Sequence, residues 1–83
     1  MTQHETAVTL REFLMLRGVR MDAAGLLAGV DASTISRIAA GKARARPATI
    51  VRLATALGTS ARRMQAICDE SWRTAHPEEV PAV

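Results

Sequence analysis

Tyrosine is absent from this chain of 83 residues, phenylalanine and tryptophan occur once each, and cysteine occurs once. With only two aromatics, the apolar residues are mostly Ala, Val, Leu and Ile, a composition that suits close-packed short helices better than a β-sandwich. The single Cys68 excludes an intrachain disulfide framework and fits a reducing compartment. No apolar run is long enough to span a bilayer, and MTQHETAV lacks a basic segment ahead of an apolar one. The expected address is therefore cytoplasmic, with no membrane partner. No nucleophile has a matching His and acid, no glycine loop cradles phosphate, and no carboxylate pair suggests a cleft, so no enzyme and no catalytic residue is expected. His4, Cys68 and His76 are scattered, which argues against a metal site, and no cofactor is expected.

The most telling absence is of one charge sign. From Ala32 to Cys68 there is no acid, yet Arg37, Lys42, Arg44, Arg46, Arg52, Arg62 and Arg63 all fall there. The net charge of +3 understates this, because the acids lie in the flanks. A segregated basic stretch points to an anionic partner on one face.

The rest reads as an all-α, compact five-helix bundle in one domain, 7–74, between a flexible N-terminus 1–6 and a flexible tail 75–83. Apolar residues from Thr6 to Arg17 keep close to helical spacing, and Gly18 ends that helix. A second helix runs from about Met21 to Ala28, and Gly29 stops it. Asp31 is a suitable cap for a third, from about Ala32 to Ala39, its carboxylate meeting the free N–H groups. Gly41 closes that helix. Pro47 opens a fourth, which Gly58 stops, and Thr59 or Ser60 caps a fifth that reaches Arg73. Between the second and third helices, Gly25 provides the tiny residue that a close crossing demands and Gly29 a turn residue at positive φ. Val30, Ile35 and Ile38 face inward.

GVRMDAAGLLAGVDASTISRIAAGK, followed by RPATIVRLATALGTS, resembles the phage-repressor and Cro type of helix–turn–helix, also called the xenobiotic-response-element type, over about Leu10 to Met64. The resemblance implies a lambda-repressor-like domain that binds double-stranded operator DNA, usually as a homodimer, in repressors, other regulators or antitoxins. Carried over by position, the recognition helix is 32–39. Its base-contact positions fall on Ala32, Ser33 and Arg37, with Ser36 beside them. Arg37 either pairs bidentately with guanine or makes a phosphate or solvent contact. Ser33 suits a base edge or a phosphate, and Ala32 only a thymine methyl. The resemblance places Arg20, Thr34, Lys42, Arg44, Arg46 and Thr49 along the sugar–phosphate backbone or, for Arg46, towards the minor groove. Arg52, Arg62 and Arg63 are weaker candidates for such contacts, since one or more of them can equally face water or pair with Asp69 and Glu70 within the fifth helix.

The sequence departs from the family pattern at three places. Arg20-Met21 replaces a frequent Ser-Gln, so the second helix loses its side-chain cap. Ala39 replaces a frequent Glu. Ala24 replaces the usual Leu, leaving room for Leu26 or Leu27 to fill. Beyond the minimal domain, Met64, Ile67, Cys68 and Trp72 share one face. That face either folds back onto the core or meets its copy across a two-fold axis, and a dimer interface is the favoured expectation. The reading is a repressor acting as a homodimer on a pseudo-palindromic operator. Its rival is an antitoxin or protein-interaction module, with a toxin or other protein as partner.

Overall fold

The first helix begins at Leu10, four residues after the Thr6 start that its apolar spacing suggests, because Thr9 and Glu12 form a reciprocal cap. In the computed structural model, which describes residues 8–79, Thr9 Oγ1 accepts the Glu12 N–H at 3.2 Å and Glu12 Oε1 accepts the Thr9 N–H at 2.9 Å. This capping box satisfies two donors that would otherwise be orphaned, and α1 spans Leu10–Arg17. The remaining helices are α2 (Met21–Ala28), α3 (Ala32–Ala39), α4 (Pro47–Ala56) and α5 (Ala61–Ala75). A 3₁₀ turn, Pro77–Glu79, follows. The described residues thus form five α-helices and no strand. The expected N-terminal segment 1–6 lies outside the described residues, as do residues 80–83 of the expected tail.

Two glycines set how closely the helices approach. A Cβ on Gly25 would lie 2.5 Å from the Val30 carbonyl oxygen, so only glycine lets α2 accept the turn and the start of α3 against it. Gly41, at φ +75°, ends α3 in the left-handed region, and a Cβ there would run into Ala75 and the Ser71 carbonyl oxygen of α5. Fifteen residues of α5 therefore lie across the base of the helix–turn–helix instead of standing away from it.

That packing corrects the expectation for the last helix. Met64, Ile67 and Cys68 are 0%, 2% and 5% exposed. They join Leu10, Phe13 and Leu14 of α1, Ile35 and Ile38 of α3, and Ile50 and Leu53 of α4 in one core. The apolar face of α5 is consumed within the chain, since each such side chain gains about 1.5–3 kcal/mol by burial. The same holds for α2 in reverse. Met21, Ala24, Gly25 and Ala28 turn inward, and helical periodicity then turns Leu26 and Leu27 to solvent, 85% and 63% exposed. Neither fills the space beside Ala24; Met21 packs on the core instead.

Among the described residues, one side chain with a polar hydroxyl, that of Ser71, is buried. Ser71 is 2% exposed, and its Oγ accepts the Leu10 N–H at 2.8 Å. This pins the open N-terminal turn of α1 to α5. Ser71→Ala strands a buried backbone donor, which costs about 1–3 kcal/mol. Urea unfolding is expected to show a loss in that range, and a loss below about 0.5 kcal/mol would remove the bond from the account.

Burial also fixes the character of Cys68. Its thiol is pushed from an ordinary 9.0 up to about 12, first by desolvation and then by the charge of Asp69. In the unfolded chain the thiol ionises near 9.0 while in the folded chain it stays protonated. The protonated thiol's contribution is therefore intact below pH 9 and is lost as pH rises towards 12. At neutral pH a maleimide is expected to label native protein at least ~100-fold more slowly than unfolded chain, because the reactive thiolate is reached only by opening.

Candidate nucleic-acid interface

The recognition helix is amphipathic in a way that separates structure from contact. Ile35, Ile38 and Ala39 are buried, Thr34 is half-buried, and Ala32, Ser33, Ser36 and Arg37 are exposed. The four base-contact candidates thus share the solvent side of α3, held at a fixed angle by the two isoleucines beneath.

The start of α3 differs from expectation. Asp31 occupies the N-cap position, but its side chain makes no cap bond. Its Oδ2 instead accepts the Ser33 hydroxyl at 3.2 Å. The Asp31 carbonyl oxygen receives the Thr34 and Ile35 N–H groups at 3.0 and 3.1 Å. The carboxylate is thus engaged by the Ser33 hydroxyl and not by the free N–H groups of the first turn.

Beside α3, a cleft of about 300 Å³ is lined by Thr34, Arg37, Arg44, Arg46 and Thr49, with Ile38, Ala43 and Ala45 behind them. It gathers five of the expected contact residues from α3, the following loop and the first turn of α4. Ala45 packs against the core and so anchors the loop. Arg46 is the N-cap of α4 and caps nothing with its side chain, while Pro47 opens the helix. Lys42 is exposed outside this cleft. So is Arg20, which pairs with Asp22 at 3.2 Å where α2 begins without a side-chain cap from its N-cap residue. A contrast runs through the fold. The helices away from the cleft, α1 and α5, are capped by Thr9 and Ser60, whereas the N-cap side chains of α2, α3 and α4 are not so used.

Not every base serves this face. The Arg52 guanidinium donates to the Gly29 carbonyl oxygen at 3.4 Å, tying α4 to the turn between α2 and α3. Arg17 donates to the Leu57 carbonyl oxygen at 2.8 Å and lies over the Phe13 ring. Arg73 pairs with Glu70 at 3.2 Å, and Asp69 accepts from Gln65 at 3.0 Å.

Arg44 and Trp72 meet, which nothing local in the sequence announces. The Arg44 guanidinium sits 4.5 Å from the centre of the indole. The half-buried Trp72 also stacks on His76 at 3.9 Å, with 19° between the rings. Trp72 therefore engages its own chain, like the rest of the face expected to form a dimer interface. Among the described residues, no group of three or more His, Cys, Asp or Glu is placed to hold a metal ion, and no helix is long and apolar enough to cross a membrane.

A family model described as a helix-turn-helix domain matches residues 5–67. No curated protein and no solved structure matches the chain.

Proposed function

The chain belongs to the helix-turn-helix domain family, of the phage-repressor and Cro type, a family of DNA-binding regulators, and on that premise we propose that it is a sequence-specific repressor that lays α3 in the major groove. The observation that carries this reading is the cleft of Arg37, Arg44, Arg46, Thr34 and Thr49 beside the exposed face of α3. In this reading Arg37, Ser33, Ser36 and Ala32 face base edges. Arg44, Arg46, Thr34 and Thr49 track the adjoining phosphates, and Arg20 and Lys42 contact the backbone on either side. The N–H groups at the start of α4, left without a side-chain cap from Arg46, suit phosphate oxygens, whereas at α2 the Ala23 N–H is already taken by Asp22 Oδ1 at 2.9 Å.

A homodimer remains part of the proposal, but through a face other than Met64, Ile67 and Cys68, which are inside the core. Selection of duplexes from a random pool at near-physiological salt tests the whole reading. The expected result is an inverted repeat with half-sites about 10 bp apart. Binding with no enriched sequence, fading as salt rises, would overturn it.

One observation favours a second reading, in which a protein partner binds as well. Met15, Leu16, Leu26, Leu27 and Val51 are all more than half exposed, and large apolar side chains in water suit protein contacts. An antitoxin would use both surfaces. A pure interaction module would bind its partner unchanged after Arg37→Ala and Arg46→Ala.

A further inference from the structure

Asp31 is the sole acid between Ala23 and Cys68, and it stands at the head of the helix that presents Ser33 and Arg37. A carboxylate there opposes phosphate attraction, so its effect on DNA depends on what it meets in the groove. A carboxylate accepts hydrogen bonds and does not donate. Ser33 has one hydroxyl proton, and Asp31 Oδ2 takes it at 3.2 Å. What remains on Ser33 is acceptor lone pairs. The exposed pair thus offers acceptors only. Arg37, one helical turn further on the same exposed side, offers donors only.

We propose that Asp31, with Ser33 oriented by it, is a specificity determinant that selects a base carrying an exocyclic amine, cytosine or adenine, at the head of α3. The proposal rests on the DNA-reading assignment made above. In the major groove the donors are cytosine N4 and adenine N6, whereas guanine and thymine at the same depth present O6 and O4 acceptors. An amine satisfies the carboxylate. A carbonyl oxygen leaves it facing another acceptor, so discrimination comes from rejection as much as from attraction. The half-site therefore carries an amine-bearing base next to the guanine read by Arg37.

Pool selection with wild type, Asp31→Asn and Arg37→Ala decides the matter. Asparagine is an equally good cap residue, and thermal melts verify that the variants fold. In the wild-type site one position is expected to hold cytosine or adenine. Asp31→Asn relaxes that position by about tenfold, leaves the guanine position intact, and binds unrelated duplex several-fold more tightly because a negative charge is gone. Arg37→Ala relaxes the guanine position alone. An Asp31→Asn pool identical to wild type overturns this inference while the DNA-reading assignment stands. A wild-type pool with no enrichment overturns both.

Discussion

Gly41→Ala is expected to destabilise the protein by at least ~3 kcal/mol, the sum of two costs that fall on one methyl group. The first is conformational, since the left-handed region costs an L-residue roughly 1–2 kcal/mol, and Gly41 sits at φ +75°. The second is steric. The added Cβ would meet Ala75 of α5 and lie 2.7 Å from the Ser71 carbonyl oxygen, and helical backbone cannot step aside as a flexible side chain would. Moving α5 away strains the bond between Ser71 Oγ and the Leu10 N–H, so α1 loosens too. At roughly 4–8 °C per kcal/mol for a domain of this size, Tm should fall by at least ~12 °C. Gly58→Ala is the control: its φ of +70° is similar, but nothing stands within 4 Å of the new Cβ. If the two variants melt within about 2 °C of each other, α5 does not lie against the end of α3.

Arg37→Ala and Arg46→Ala should separate cleanly on DNA. A base contact by Arg37 is worth about 1–3 kcal/mol on its preferred sequence and little on any other, so Arg37→Ala mainly flattens discrimination. Arg46 in the cleft is poised for phosphate or the minor groove. Its loss should weaken every duplex alike and lower the slope of log K against log salt by about 0.9. Anisotropy titrations over a salt series, on selected and unrelated duplexes, read both quantities. Equal losses for both variants on both duplexes would mean that α3 makes no base contact.

The helix–turn–helix was legible because its constraints are local. Gly25, Gly29 and Pro47 each answer a steric or backbone demand set by near neighbours in the chain, and α2, α3 and α4 lie where that logic puts them. The start of α1 was equally local, but the Thr9–Glu12 pair was masked by apolar spacing that extends upstream of it. What periodicity does not encode is the destination of an apolar face. Met64, Ile67 and Cys68 form the same stripe whether they cover α1 and α3 or a second molecule. Only the glycine contact at Gly41 and the hydroxyl of Ser71, both long-range, decide it. Asp31 stands at the N-cap position that its type suits, but the Ser33 hydroxyl takes its carboxylate in place of a backbone N–H, a choice between neighbouring donors that residue type alone does not make. Arg44 on Trp72 lies beyond any local rule, the two residues being 28 positions apart.

That last contact gives the molecule an optical reporter of its own. The sole indole has a cation resting 4.5 Å from its centre, and the same cation lines the basic cleft. A phosphate gripped by the in-plane N–H groups of Arg44 offsets the positive charge over the ring, and the electric field across the chromophore changes with it. If duplex DNA fills the cleft, the emission of Trp72 is expected to shift as it binds, so that an unlabelled sample titrated in a cuvette reports its own occupancy.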